Sequence, residues 1–273
     1  MPDIFSPAQL IFLRLLGGVV VFWLFQRLFV PEKVDRRDLL KFALCGLLGF
    51  SLNQALFYFG LNLTTPVDAS IIHVMNPILV LIFAHLIIRE QITWPKVTGI
   101  TLGATGALIL ILYGGTMDFG GKHALGNIFV LLNMVFYALY LVLIKPLVGK
   151  YHTTTILKWV SFFGFIFIFP FLIKPAMQIQ VTAISITGWA GLAYIIALNT
   201  FVAYLLINYA LKQLSPGVVS YYNYIQPVIA SILTLSAGQG AITFPKVFAA
   251  FLIFSGVYIV NRQKKGAPIS ENM

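Results

Sequence analysis

Two polar sequences with the same pattern lie 150 residues apart in strongly apolar surroundings. Each carries hydroxyl, imidazole or amide side chains at its first, fourth and seventh positions, and a proline follows directly. The first set is Ser70, His73, Asn76 and Pro77, and the second is Ser220, Asn223, Gln226 and Pro227. At ~100° per residue, these positions fall on one side of a helix. We therefore expect each set to form a polar face on an otherwise apolar helix.

The chemistry of these two faces is hydrogen bonding, with one titratable group. Proline removes a backbone donor and leaves the carbonyl four residues earlier without its usual partner. That carbonyl belongs to His73 in the first face and to Asn223 in the second. His73 changes its charge near neutral pH and is therefore the candidate for proton coupling. Pro77 and Pro227 are candidate helix breaks with a role in gating.

Long apolar segments must carry these faces. The chain is 59% hydrophobic and 10% charged, with a mean hydropathy of +0.92, whereas soluble domains carry about 25% charged residues. Runs of ~17 to 24 apolar residues, long enough to cross a bilayer as a helix, cover residues 8–28, 42–61, 69–88, 96–113, 125–147, 155–173, 186–209, 216–236 and 244–261. They lack the alternation of barrel strands. The sequence therefore predicts an all-α polytopic membrane protein with nine visible transmembrane helices.

Basic residues set the predicted orientation. All but four of the 18 Lys and Arg residues fall on one side of the predicted bundle, and the exceptions are Arg14, Lys122, Lys174 and Lys246. The positive-inside rule makes the richer side cytoplasmic. We expect a multi-pass protein of the cell membrane, the inner membrane of a bacterium, with a cytoplasmic C-terminal tail at 263–273. The same rule accounts for the net charge of +10 without nucleic acid as a partner.

The chain contains an internal duplication. The register of the two polar faces continues in the pairs Pro66 and Pro216, ITWPKV (92–97) and ITFPKV (242–247), and Gly106 and Gly256. Because the copies begin five spans apart, the second must cross the membrane upside down, as in the inverted repeats of many secondary transporters. We predict a first repeat at 1–113 with four visible spans and a second at 124–262 with five. Either a leading helix is missing before Met1, or the chain is a nine-span variant.

The inverted arrangement brings the two polar faces together near mid-membrane, where such transporters hold their substrate. Other polar residues inside the spans extend this predicted site. The residues predicted to bind substrate are Asn53, Ser70, His73, Asn76, Asn133, Tyr137, Asn199, Ser220, Tyr221, Asn223 and Gln226. The alternative is that these side chains only join neighbouring helices, through hydrogen bonds worth about 0.6–2 kcal/mol each.

Charged residues inside the spans have simpler interpretations. Arg14 and Lys158 occupy corresponding places in the two copies. We expect both side chains to extend toward the membrane surface rather than to meet an anionic substrate group. Asp68 precedes the first polar face, and we expect it to cap the N-terminus of its helix.

The sequence carries no signature of an enzyme. It contains no nucleophile elbow, zinc-protease motif or phosphate-binding loop, and no paired carboxylates within a span. The single cysteine, Cys45, permits no disulfide within the chain, and the histidines lack ligand spacing. We expect no enzymatic activity, no metal and no cofactor. The expected partners are a small-molecule substrate and the lipid bilayer, and the oligomeric state stays open.

With these residues in view, the chain resembles the EamA family of the drug/metabolite transporter superfamily. The resemblance rests on the inverted five-helix repeats and on SPAQLIFLRLLGG (6–18), TTPVDASIIHVMNPILVLIFAHLIIREQIT (64–93) and KQLSPGVVSYYNYIQPVIASIL (212–233). It implies ten spans, cytoplasmic termini and a central cavity. It also implies an acidic residue near the end of each proline-containing span. This residue is Glu90 in the first copy but Gly240 in the second, so we interpret Glu90 as a structural or gating residue.

These observations together predict a secondary transporter that moves small metabolites across the plasma membrane by alternating access. Because many members of the family export amino acids, the resemblance implies export of amino acids or related compounds. The alternative is a non-transporting membrane scaffold, or a subunit of another complex, whose polar faces only pack helices.

Overall fold

The computed structural model describes residues 5–114, 123–180, 184–236 and 243–261, which fold into helices joined by short loops. The α-helices are α1 (Pro7–Phe29), α2 (Leu39–Gly46), α3 (Asn53–Leu63), α4 (Pro66–His73), α5 (Asn76–Ile88), α6 (Trp94–Gly114), α7 (Ala124–Leu143), α8 (Lys145–Lys150), α9 (Thr153–Met177), α10 (Ile186–Tyr194), α11 (Ala203–Gln213), α12 (Pro216–Tyr221), α13 (Gln226–Ser236) and α14 (Phe244–Asn261). The predicted tail at 263–273, together with Lys122 and Gly240, lies outside the described residues.

Most of the predicted spans appear as long apolar helical segments. Seven are long and apolar enough to cross a membrane: Pro7–Phe29, Arg36–Leu63, Pro66–Ile88, Trp94–Leu112, Ala124–Lys150, Thr153–Met177 and Ile186–Gln213. Phe244–Val260 is a shorter apolar helix. The predicted span 216–236 consists of α12, a 3₁₀ segment at Tyr222–Ile225, and α13. The prediction of an all-α polytopic membrane protein is confirmed.

Polar contacts join the loops at one end of the bundle. The backbone N–H of Asp35 donates to the hydroxyl of Tyr151 at 3.1 Å, and the ammonium of Lys145 donates to the carbonyl of Leu214 at 2.8 Å. We call this the basic end, because the sequence places most Lys and Arg residues there. The far end is the opposite one, where the α3–α4 loop meets the start of α7.

Matching caps begin the helices that carry the two polar sequences. The side chain of Thr65 accepts a hydrogen bond from the backbone N–H of Asp68 and precedes Pro66, and Ser215 caps α12 in the same way before Pro216. Proline is favoured at this position because its missing N–H would have no helical partner there. The prediction that Asp68 caps its helix is wrong, because the cap is Thr65, three residues earlier.

Both polar sequences lie at helix breaks. Helix α4 ends at His73 and α5 begins at Asn76, so Pro77 lies in the first turn of α5. In the second repeat, the 3₁₀ segment separates α12 from α13, which begins at Gln226 with Pro227 next. A proline in a first turn breaks no α-helical hydrogen bond. The first break therefore separates His73 from Asn76, and the second separates Ser220 from Gln226, with Asn223 in the 3₁₀ segment itself.

A second irregularity recurs in both halves of the molecule. Wider π-helical turns occur at Leu47–Leu52 and at Ile195–Val202. Each leads directly into an α-helix of 11 residues, α3 or α11. These two helices begin 150 residues apart, which is the register of the sequence repeat. Because π-helical turns are rare and are frequent at functional sites, their matched positions make α3 and α11 structural counterparts.

Helices related by the repeat pack against one another. Helix α1 lies along α9, and α6 lies along α14. Glycines make the second contact close: a Cβ atom on Gly106 would lie 2.6 Å from the carbonyl oxygen of Ala249, and one on Gly256 would lie 2.7 Å from that of Gly99. Small residues let membrane helices approach and gain packing energy. The α6–α14 contact therefore depends on these glycines.

Candidate functional site

The two polar sequences meet inside the bundle. The hydroxyl of Tyr224 donates to the carbonyl of Val74 at 2.9 Å, and these two residues hold the same place in their repeats. The ring of Tyr221 packs edge-on against Tyr224, with centroids 5.2 Å apart, and its hydroxyl donates to the carbonyl of Gly99 at 2.7 Å. Both tyrosines are buried. They fix the second polar sequence against the first and against α6.

The first polar sequence presents its side chains in three different settings. Ser70 is exposed, and its hydroxyl donates to a carbonyl of its own helix at 2.7 Å. His73 is half-buried, with Nδ1 2.7 Å from the carbonyl of Ala69 and the ring edge-on against Phe57. Asn76 is buried, and its Oδ1 has no hydrogen-bond partner among the described residues. The free capacity of this sequence therefore lies with His73 and Asn76.

The second polar sequence shows a different distribution. Ser220 is buried, and its hydroxyl donates to the carbonyl of Gly217 at 2.9 Å. Asn223 and Pro227 are half-buried, and Gln226 is exposed. This order reverses that of the first sequence, in which the hydroxyl of Ser70 is exposed and the amide of Asn76 is buried. Equivalent positions of the repeat thus have different surroundings.

Asn53 and Asn133 join α3 to α7. The amide of Asn53 donates to the backbone carbonyl of Asn133 at 3.2 Å, and the amide of Asn133 donates to that of Asn53 at 2.7 Å. Tyr137, one turn further along α7, is half-buried, and its ring stacks on Tyr140 with centroids 6.1 Å apart. Asn199 is exposed on its π-helical segment. The structure therefore brings three of these four predicted site residues together.

Buried polar groups that sequence reasoning missed extend this cluster toward α11. The amide of Gln54 donates to the hydroxyl of Tyr204 at 3.5 Å, and that of Asn208 donates to Tyr140 at 3.3 Å. The side-chain oxygens of Gln54, Asn133 and Asn208 are enclosed and have no partner among the described residues. Gln54 and Tyr204 are 150 residues apart, so extending the repeat register into α3 and α11 would have paired them.

Arg14 lies within the same polar layer. Its Nε donates to the hydroxyl of Thr200 at 2.9 Å, and its Nη1 donates to that of Tyr58 at 3.0 Å. The residue is 8% exposed, so the expectation that Arg14 extends to the membrane surface is wrong. Lys158 is partly buried, and its ammonium lies 4.1 Å from the centroid of the Trp23 ring. A cation over a tryptophan face is electrostatically satisfied, and among the described residues no aromatic ring makes such a contact with Arg14.

At the basic end, Glu90 joins α5, α6 and α12. The chain reaches it through Arg89, whose backbone is left-handed at φ 55°. The Glu90 carboxylate accepts from the ammonium of Lys96 at 2.8 Å, and their side chains are 8% and 11% exposed. Glu90 Oε1 also lies 3.0 Å from the point where a Cβ on Gly217 would stand, in the first turn of α12. The Glu90 carboxylate therefore packs directly against the backbone of Gly217, where any side chain would crowd it.

The chemistry available in this interior is hydrogen bonding by amides, hydroxyls, an imidazole and a guanidinium. Over the described ranges, no group of three His, Cys, Asp or Glu side chains could hold a metal ion. Cys45 is a buried free thiol.

An inverted helical repeat with polar groups at its centre is the architecture of a membrane transporter. The sequence profile of the EamA-like transporter family matches residues 1–112 and 124–262, and the chain belongs to this family. The resemblance inferred from the repeats and motifs is confirmed.

Two relatives and one solved structure show the range of the similarity. The uncharacterized transporter YyaM of Bacillus subtilis is 27% identical over 230 residues, covering 81% of this chain and 73% of its own length. A probable terminal-alkyne amino-acid exporter of Streptantibioticus cattleyicolor is 25% identical over 231 residues, covering 84% and 75%. A crystal structure with 16% sequence identity matches 95% of this chain and 90% of its own, with a TM-score of 0.78, which supports the fold.

Proposed function

We propose that the chain is a secondary transporter that exports amino acids or related small metabolites across the cell membrane. The observation that carries the proposal is the contact between repeat-equivalent residues in the interior, Tyr224 with Val74 and Gln54 with Tyr204. A site on the axis that relates two inverted repeats can open to either side when one repeat rocks against the other. The relative named as an amino-acid exporter supports the substrate class.

The substrate is proposed to lie between the two polar sequences. His73 and Asn223 are half-buried, Gln226 is exposed, and the buried Asn76 has an unpartnered amide oxygen. Polar groups at this depth are costly against lipid, so we expect them to face water or ligand. His73 is proposed to exchange a coupling proton. Its counterpart Asn223 does not titrate, so a single proton site would serve the transport cycle.

The two ends of the bundle support an alternating-access cycle. At the basic end, α12 packs against α5 beside the Glu90–Lys96 pair. At the far end, the equivalent helices α4 and α13 make no comparable contact in the described part of the chain. We infer that this conformation is closed toward the cytoplasm and open outward, with Glu90 holding the closed end. The breaks beside Pro77, which is buried, and Pro227 are the proposed hinges.

Uptake into proteoliposomes tests the proposal. Vesicles are offered the standard amino acids together with a mixture of other small metabolites, and trapped solutes are read by mass spectrometry. The Asn223→Ala/Gln226→Ala variant should take up solute at least about tenfold more slowly than wild type, because each lost ligand hydrogen bond is worth about 1 kcal/mol. Gln213→Ala removes an exposed amide at the end of α11 and should transport at the wild-type rate.

The other outcomes separate the competing interpretations. Normal uptake by the double variant would remove the two polar sequences from the site. Parallel loss of uptake and of thermal stability would favour residues that only hold helices together. If the wild type takes up no solute, transport itself is contradicted, and a membrane scaffold becomes the better interpretation.

A further inference from the structure

We propose that Arg14, held by Thr200 and Tyr58, is the subsite that binds the carboxylate of the transported solute. The inference rests on the proposed transport function and specifies its substrate class, a small solute with a carboxylate beside a hydrogen-bond donor such as an ammonium group. Neither the repeat pattern nor the names of the relatives assigns a role to this arginine.

The first support is the unused donor capacity of Arg14. A guanidinium has five N–H donors in a planar fork. Two are used, one on the hydroxyl of Thr200 at 2.9 Å and one on that of Tyr58 at 3.0 Å. Nη2 bonds none of the described residues, and it is not among the fully enclosed atoms that lack a partner. The fork therefore keeps donors that a ligand can reach.

The second support is the charge of Arg14. Its partners are neutral hydroxyls, and the ion pairs formed among the described residues involve Asp35, Asp38 and Glu90 instead. A buried cation without an anion is costly, and an ionisable residue inside a membrane span by default marks a functional site. An anionic solute group would supply the missing counter-charge each time the site is occupied.

The third support is position. Arg14 lies in the first half of α1, and Thr200 lies near the middle of the Ile186–Gln213 segment, whereas lipid phosphates lie at the membrane surfaces. The planar fork also matches the two oxygens of a carboxylate. Both features favour the carboxylate of a solute that enters the interior over a lipid headgroup.

The turn next to Tyr58 and Thr200 carries a hydrogen-bond acceptor for the ammonium group of the proposed solute. Residues four apart lie on the same side of a helix. Gln54 therefore lies about one turn before Tyr58 on α3, and Tyr204 lies about one turn after Thr200 on the α10–α11 span. Gln54 and Tyr204 bond each other, and Oε1 of Gln54 is enclosed and unpartnered among the described residues. This acceptor lies about one helical turn from the guanidinium, and in the proposed site it meets the ammonium group of the solute once the Gln54–Tyr204 contact opens.

The experiment compares amino acids with their C-terminal amides, which keep the ammonium but lack the carboxylate. Proteoliposomes containing wild type, Arg14→Met or Tyr58→Phe are offered both mixtures. Wild type should prefer the acid by about tenfold or more, because a hydrogen bond to a charged group is worth more than a neutral one. Arg14→Met should abolish this preference while keeping amide uptake, and Tyr58→Phe should reduce the preference. Lys158→Met, which removes the cation at the corresponding place of the other copy, should leave it unchanged.

Thermal unfolding of the same variants keeps the inference testable if no solute is transported. Without solute, Arg14→Met should unfold at or above the wild-type temperature, because it removes an uncompensated buried charge. Added glycine or acetate should raise the unfolding temperature of wild type but not of Arg14→Met, and inorganic phosphate should have the weaker effect. A retained acid preference in Arg14→Met would overturn the inference and leave transport standing. The inference also fails if the variant is destabilised and no carboxylate stabilises wild type.

Discussion

Two equivalent spans, Arg36–Leu63 in the first repeat and Ile186–Gln213 in the second, have the same design but different surroundings. Half of the residues in the most apolar stretch of Arg36–Leu63 are buried, against 17% in Ile186–Gln213. Helix α7 packs along α3, whereas no described helix covers α10–α11 to a similar extent, and Leu206 and Tyr209 are 62% and 63% exposed. Equivalent positions of the two repeats therefore have different surroundings. Helix α7 covers α3 in the first repeat, and no described helix covers α10–α11 to the same extent.

The proline-containing spans show the same lesson at the two ends of the bundle. Glu90 fills the space beside Gly217 at the basic end, and its equivalent Gly240 lies outside the described residues. If Glu90 holds the closed end as proposed, the two ends are unequal, and we expect one conformation to be favoured until ligand or a proton changes the balance.

The largest loss of stability is expected at the α6–α14 contact, to which each repeat contributes one helix. Gly106→Ala and Gly256→Ala each place a Cβ within 2.7 Å of a backbone carbonyl across the α6–α14 contact. Backbone cannot yield as a flexible side chain does, so each should cost about 1–3 kcal/mol of stability. Gly149→Ala is the matched control, because a Cβ there meets nothing within 4 Å. Thermal unfolding in detergent measures all three, and equal tolerance at the three positions would contradict a close α6–α14 contact.

A smaller loss of stability is expected in the equivalent spans Arg36–Leu63 and Ile186–Gln213, whose surroundings differ. Asn53→Ala should destabilise by about 0.5–1.5 kcal/mol, because it removes the hydrogen bond to the backbone carbonyl of Asn133. The Asn133 amide keeps its acceptor, which is the backbone carbonyl of residue 53. Asn199→Ala should change stability by less than about 0.5 kcal/mol, as exposed substitutions do. The same unfolding measurement compares the two. Similar costs at both positions would show that the spans Arg36–Leu63 and Ile186–Gln213 have equivalent neighbours after all.

The apolar helices and the internal repeat could be predicted from the sequence, because both follow from the order of apolar and polar residues along the chain. The side chains were harder to place. Ser70 and Asn76 share a face on a continuous helix, but the break beside Pro77 divides them, so one is exposed and the other buried. Arg14 was expected at the membrane surface because its partners, Tyr58 and Thr200, come from spans distant in sequence. Local spacing cannot reveal such partners, whereas the Gln54–Tyr204 pair was accessible through the register.

The central claim is that the two polar sequences line a site reached from alternate sides of the membrane. The most direct test is modification of a cysteine at Asn223 by a membrane-impermeant maleimide, in a Cys45→Ser background. We expect Asn223→Cys to react from the outside and more slowly when transported solute is present. Adding Glu90→Gln, which weakens the closed end, should make it react from the cytoplasmic side as well. A cysteine that reacts from neither side, or whose reaction Glu90→Gln leaves unchanged, would contradict this account.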